Sequence, residues 1–218
     1  MGNCLSPATP CQEHIVASHA DNEPSHEQLA GETHFSVDEV YALEELFKGL
    51  SNSIHRDGVI HKDEFAFALF KSQNHSNIFA DKVFELFDTK KNDVIGFDEF
   101  VRALSVFHPN APAPEKADFA FRIYDLDNTG HIERDEIQRF LVALLKDNPA
   151  IDLDDAHLNV LIDQTFKEAD LAGDGHISPE EWQILVKKHP NTITYMTLPV
   201  LKELTKKYPS FVFNENRK

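Results

Sequence analysis

Four glutamates, Glu64, Glu99, Glu136 and Glu181, share one setting in this sequence. Each stands four residues after an isoleucine (Ile60, Ile95, Ile132, Ile177) and directly before a large apolar residue (Phe65, Phe100, Ile137, Trp182). A turn-former lies two residues before each isoleucine: Gly58, Asp93, Gly130 and Gly175. Such self-similarity marks a repeated unit. The stretch DLDNTGHIERDE, from Asp125 to Glu136, shows what chemistry the unit supports. Asp125, Asp127 and Thr129 offer side-chain oxygens, His131 its backbone carbonyl, Glu133 an oxygen acting through water, and Glu136 a bidentate carboxylate. Calcium takes about six to eight oxygens, and a loop of about twelve residues supplies them at positions 1, 3, 5, 7, 9 and 12 around a glycine at 6. This third loop meets each requirement.

The other loops depart from it by degrees. The fourth, DLAGDGHISPEE, keeps Asp170, Asp174, Gly175, His176 and Glu181 but has Ala172 at position 3, so calcium binding is expected with one ligand lost. Ser178 and Glu181, with Pro179 between, also fit a helix cap, so part of that pattern is structural. The second loop, DTKKNDVIGFDE, has Lys90 at a ligand position, Gly96 at position 9 and Asp93 where glycine belongs. A structural loop is the expectation there, with Asp88, Asn92, Val94 and Glu99 as the ligands of a weak site if it binds at all. In the first loop no acidic residue precedes Asp57 at the usual distance. Ser51 and Ser53 suggest a loop lengthened by two residues, SNSIHRDGVIHKDE, with Ser51, Ser53, Asp57, Val59 and Glu64 as ligands. Residue chemistry leaves this loop open between a site and a relic.

Loops of this kind need helices to hold them. Val40, Leu43, Phe47 and Leu50 share a helical face, and Ser36 with Glu39 forms a capping-box pattern at its start. Phe79, Val83, Leu86 and Phe87 precede the second loop in the same way, and Ile137, Phe140, Leu141, Leu144 and Leu145 follow the third. Leu158, Leu161, Ile162, Phe166 and Ala169 lead into the fourth, and Trp182, Leu185 and Val186 lead out of it. The prolines between His108 and Pro114 exclude a continuous helix and divide the repeats two and two. Beyond Pro190, Thr197, Leu198 and Pro199 resemble a capped helix start. Leu198, Leu201, Leu204 and Tyr208 lie at the spacing of one apolar face.

Bulk properties narrow the function. With 37 acidic and 21 basic residues the formal charge is −16, which argues against nucleic acid as partner and suits a cation binder. Cys4 and Cys11 sit too close together to staple a fold, which points to a reducing compartment. No apolar run is long enough to span a membrane, and no secretory signal pattern is present. The histidines fall in no zinc or metalloprotease spacing, and no nucleophile elbow, phosphate loop or kinase motif appears, so an enzyme is not expected.

The chain is identified as a member of the EF-hand superfamily and resembles the plant calcineurin B-like calcium sensors from about Glu32 to Phe213. The resemblance rests on the first loop, on FVRALSVFHPNA from Phe100, FRIYDLD from Phe121, MTLP from Met196 and PSFVF from Pro209. It implies an all-α fold of two lobes, each a pair of EF-hands, plus a C-terminal helical extension. The expected divisions are an N-terminal tail (1–31), an N-lobe (32–107), a linker (108–114), a C-lobe (115–190) and the extension (191–218). It implies calcium as cofactor, including at the first hand. It also implies, as partner, a serine/threonine protein kinase of the calcineurin B-like-interacting type, held by an amphipathic segment in a groove. Ser210, in YPSF where the family has FPSF, is the candidate phosphorylation site. Met1-Gly2-Asn3-Cys4-Leu5-Ser6 matches a myristoylation signal on Gly2, and Cys4 is the palmitoylation candidate. Two lipids anchor a chain stably where one does not, so the expected location is the cytoplasmic face of the plasma or vacuolar membrane, with a cytosolic pool. A calcineurin-type phosphatase regulatory subunit, a neuronal-type sensor and a plain calcium buffer are the rival readings.

Overall fold

A computed structural model describes residues 23–70, 78–147 and 154–194. Gly2, Cys4, Ser210 and the expected C-terminal helix lie outside the described residues. The apolar stripes become helices at the places their spacing implies. After α1 (His26–Glu32) come the helix–loop–helix units α2 (Val37–Ser51) with α3 (Lys62–Phe70), and α4 (Ile78–Phe87) with α5 (Phe97–Leu104). The units α6 (Ala113–Tyr124) with α7 (Arg134–Asp147), and α8 (Asp155–Ala169) with α9 (Pro179–Lys188), follow, and α10 (Asn191–Thr194) closes the described chain. The described residues are all-α apart from two-residue strands inside the loops.

Those strands explain why an isoleucine recurs in every loop. β1 (Ile60–His61) pairs antiparallel with β2 (Val94–Ile95), setting Ile60 opposite Ile95. β3 (Ile132–Glu133) pairs with β4 (His176–Ile177), setting Ile132 opposite Ile177. All four isoleucines are fully buried. Each is a β-branched residue that stitches two loops together and drops its side chain into the core below them. Two loops therefore form one rigid unit.

The caps behave as their residue types dictate. Ser36 Oγ accepts from the Glu39 amide while Glu39 Oε2 accepts from the Ser36 amide at 2.7 Å, closing the box at the start of α2. Ser178 and Glu181 do the same for α9, with Pro179 in its first turn. The first core gathers Phe47, Phe65, Phe87 and Phe100 around Ile60 and Ile95, the second gathers Trp182, Ile162 and Leu158 around Ile132 and Ile177. Burying a Phe of this kind contributes roughly 1.5–3 kcal/mol. Trp182 also needs a partner for its indole N–H, and it donates to the Ala117 carbonyl at 2.7 Å.

Two features extend beyond the sequence reading. α1, in a segment for which no helix was expected, buries Leu29 completely in the first core and packs on α2 and α5. The two hand pairs also share an apolar seam. Phe119, Ile123 and Phe140 join the first core, with Phe79 against Phe140 at 5.4 Å and Phe107 against Phe119 at 5.2 Å between ring centres. The proline-rich segment between the pairs is itself packed, with His108 and Ala111 buried.

Candidate metal centre

Each loop is closed by its last glutamate, which turns back and accepts from backbone amides on both limbs. Glu136 Oε1 accepts from Leu126 (2.7 Å) and Asp127 (3.2 Å), and its Oε2 from Glu133 (2.7 Å). Glu181 takes the same amides in its loop, from Leu171, Ala172 and Ser178. Glu99 takes those of Lys90 and Gly96, and Glu64 those of Ile54, His55 and His61. The loops also share a backbone trace. Left-handed residues occur at their fourth and sixth positions: Asn128 and Gly130, Gly173 and Gly175, Lys91 and Asp93, and Arg56 and Gly58. Asp93, at φ 62°, carries a Cβ in a conformation that glycine adopts without strain.

The third loop concentrates charge. Asp125, Asp127 and Glu136 bring carboxylate oxygens within 4.8 Å of one another, and no other group of three His, Cys, Asp or Glu does so among the described residues. Asp125 is the cap of α6 and accepts from the Thr129 and Gly130 amides, which curls the loop around it. Thr129 Oγ1 donates to the His131 carbonyl at 3.2 Å, so the oxygens of positions 5 and 7 are neighbours. Burial, with the Asp127 charge adding to it, pushes the Glu136 carboxyl above its ordinary range. Converging hard oxygens whose mutual repulsion only a cation relieves fit calcium. Glu133 presents its amide to Glu136 from the strand.

In the fourth loop Asp170 accepts from Gly173, Asp174 and Gly175, reproducing the curl. Ala172 leaves the carboxylate crowding out, and Glu181 is held down to about 2, chiefly by the Ser178 and Ala172 amides. Asp174 Oδ2 lies 3.2 Å from His176 Nε2. Asp170, Asp174 and Glu181 thus line one loop without converging as the triad of the third loop does.

The second loop holds its own cation. Lys90 Nζ lies 2.8 Å from Asp98 Oδ1 and 3.9 Å from Glu99 Oε2, placing an ammonium beside the closing carboxylate. In the sequence Lys90 reads as a cation where a ligand belongs; the structure ties that cation to Asp98 beside Glu99.

The first loop follows the frame of the others with Ser53 in first place, since Glu64 bridges the amides of residues ten, nine and three before it, as Glu136 does. Ser51, expected inside a lengthened loop, is the last residue of α2. Among the described residues its buried hydroxyl has no hydrogen-bond partner. Ser53 Oγ donates to Leu50 O and reaches Glu64 Oε1 at 3.4 Å. Asp57 accepts from the Val59 amide and pairs with His61 Nε2 at 2.7 Å, which holds its carboxyl low.

A residue that loop patterns do not reveal supports the third loop from outside. Lys82, on α4, is buried and donates to the Leu126 carbonyl at 3.4 Å and to Asn128 Oδ1 at 2.8 Å. Asn128 Nδ2 donates to Glu85, which also meets Lys91 of the second loop. A lysine one residue before Val83 in an apolar helix was the available sign.

Residues 114–187 match the EF-hand domain pair. The chain is 37% identical over 184 residues to calcineurin B-like protein 5 of Arabidopsis thaliana, covering 84% of this chain and 90% of that protein. It is 35% identical over 182 residues to the calcineurin B subunit of Candida glabrata (84% and 94% covered). To the calcineurin B subunit of Naegleria gruberi it is 35% identical over 156 residues (72% and 83%).

Proposed function

Because the chain belongs to the calcineurin B-like family of calcium-binding EF-hand proteins, we propose that it is a calcium sensor that binds a serine/threonine protein kinase of the calcineurin B-like-interacting type and recruits it to a membrane. The observation that carries the calcium half is the Asp125, Asp127 and Glu136 cluster on a loop stitched to its neighbour through Ile132 and Ile177. Calcium drawn to those carboxylates loads the third loop, and the shared strand passes the strain to the fourth. The resulting change in helix angles, repeated through the apolar seam, alters the surface offered to a partner helix.

The kinase half rests on the likeness to calcineurin B-like protein 5 and on FVRALSVFHPNA and PSFVF. Membrane recruitment rests on Gly2 and Cys4 as myristoylation and palmitoylation sites, and Ser210 is the proposed target of the bound kinase. Likeness of nearly the same degree to the calcineurin B subunit favours a second reading, the regulatory subunit of a calcineurin-type phosphatase. Capture on immobilised chain, with calcium and with chelator, separates them. The kinase reading expects a calcineurin B-like-interacting kinase to be retained and a calcineurin catalytic subunit to pass through. Retention of the phosphatase alone overturns it, and retention of neither leaves a calcium buffer. A Gly2→Ala chain that stays membrane-bound in cell fractions would remove the lipid anchor.

A further inference from the structure

Short strands join the first loop to the second and the third to the fourth. The second and third loops, which belong to different hand pairs, are joined by side chains instead. Lys91 is the fourth residue of the second loop and Asn128 the fourth of the third, and both are left-handed, at φ 54° and 60°. The two meet at one carboxylate of α4. Glu85 Oε1 accepts from Asn128 Nδ2 at 3.0 Å and lies 3.5 Å from Lys91 Nζ, which also donates to the Glu85 carbonyl at 3.1 Å. Three residues earlier on α4, Lys82 donates to Asn128 Oδ1 at 2.8 Å and to the Leu126 carbonyl at 3.4 Å. Both ends of the Asn128 amide are therefore held by a helix of the first hand pair.

Lys82 is 3% exposed, and a buried ammonium is costly unless it is hydrogen-bonded. Among the described residues its hydrogen bonds go to the third loop, with Glu85 Oε2 at 3.7 Å, so α4 cannot part from that loop without stranding the charge. Against its partial burial, the Asn128 bond and the Lys82 and Lys91 charges hold the Glu85 carboxyl below its ordinary range. The link is thus an anion between two cations. Calcium acts on the same stretch, because it draws on the oxygens of positions 3 and 5, Asp127 and Thr129, on either side of Asn128. A shift of those two residues moves Asn128, and with it the seat of Glu85 and Lys91.

We propose that Glu85 is a relay that couples calcium in the third loop to the second loop, so that the hand carrying its own cation reads the occupancy of the other pair. The proposal rests on calcium binding at the third loop. It sets a polar route beside the apolar seam and joins the four loops in one series. Coupling of this kind is reciprocal, so a change at Lys91 must be felt by calcium at the third loop.

Amide resonances of the full-length chain carrying E64Q and E181Q, which silence the first and fourth loops, test this through a calcium titration. The Lys91, Asn92 and Asp93 amides are expected to shift along the same isotherm as those of Asn128 and Thr129. N128G removes the shared side chain and keeps a residue suited to the left-handed position, the one Gly173 fills in the fourth loop. In N128G the third loop should still load and the second-loop shifts should vanish. K91A, in the otherwise unchanged chain and read at the Gly130 amide, should weaken calcium at the third loop by about five- to tenfold, and should not weaken it when N128G is already present. Loss of the Lys91 charge acting through its field alone would strengthen calcium instead. Strengthening or no change in K91A, equal weakening in both backgrounds, or second-loop shifts that survive N128G would overturn the relay. Third-loop amides that ignore calcium end the sensor reading and the relay together. Third-loop amides that shift while the second-loop amides stay still overturn the relay alone.

Discussion

Ala172→Asp is expected to convert the fourth loop from a weaker calcium site into one resembling the third. The two loops share their curl, their left-handed positions and their closing glutamate; their ligand side chains differ at positions 3, 5 and 9, and only at position 3, Ala172 against Asp127, is the side-chain oxygen lost. In the third loop the three carboxylates approach within 4.8 Å. Two like charges at that distance repel by about 3–4 kcal/mol at the effective dielectric of about 20 that suits protein sites. Partial exposure reduces that figure, since solvent screens the pair. The cost falls on the metal-free loop and is reversed when a doubly charged ion sits between the groups. Each carboxylate then meets twice the charge at roughly half the distance. After the loss of one bound water, a net gain of about 1.4–2.8 kcal/mol remains, or about ten- to a hundredfold in affinity. A second signature accompanies it: the Glu181 carboxyl, now held at about 2, should rise as the introduced carboxylate crowds it, as Glu136 is raised beside Asp127. Calorimetric calcium titration in a Glu136→Gln background, which silences the third loop, reads the fourth alone. Unchanged or weaker affinity in the double variant, with circular dichroism preserved, would refute the claim that Ala172 is the gap in this site.

Removing the tethered cation by Lys90→Ser should expose a weak calcium site in the second loop, with Kd of about 10⁻⁴–10⁻³ M, measured with Glu136 and Glu181 both changed to Gln. No added calcium uptake would show that the ammonium beside Asp98 and Glu99 is not what fills this loop. Lys82→Ala should cost about 1–3 kcal/mol in urea unfolding and weaken calcium at the third loop, because the Leu126 carbonyl and Asn128 lose their buried donor. A loss of stability with calcium affinity intact would confine Lys82 to packing. Burial lowers the His108 value below 6.5, against the pull of Glu39, and the charges of His34 and Lys116 act with burial. His108 Nδ1 also accepts from the Asn110 amide, a bond that protonation breaks. The unfolded chain therefore binds this proton more readily, so the contribution of His108 is whole above about pH 6.5 and falls as pH drops through that value. Unfolding free energies at about pH 7.5 and 5.5 should diverge less in H108Q than in the wild type.

The helices and loops were legible because their causes are local. An apolar stripe at helical spacing, a serine three residues before a glutamate, and a buried isoleucine between ligand positions each leave a mark within a dozen residues. The first loop was harder, since its sequence admits two counts. Ser51 and Ser53 invite a longer loop, and the choice is made by where α2 stops and which amides Glu64 reaches. Lys90 was legible as a cation at a ligand position, though not its pairing with Asp98. Lys82 as outside support was not legible, because it depends on a segment forty-six residues away at Asn128. The packing of α1 and the seam between hand pairs belong to the same class, for Leu29 or Phe140 carries no sign of which apolar surface it meets.

The closing glutamate has a use that does not require calcium. All four bridge the two limbs of their loop through backbone amides, including Glu99, which sits beside an ammonium. In Glu181 the accepted amides win and hold the carboxyl low, whereas in Glu136 burial and the Asp127 charge outweigh them; in each loop the bridge holds the curl that calcium needs. Presence of this glutamate therefore identifies the fold of a hand rather than its occupancy. What separates the loops is the content of positions 1, 3 and 5. Converging carboxylates in the third loop ask for a cation, an alanine in the fourth removes one of them, and a lysine in the second answers the charge from within. In the first, histidine exchanges oxygen for nitrogen. Four similar loops thus carry four different sets of side chains at the ligand positions on one shared frame.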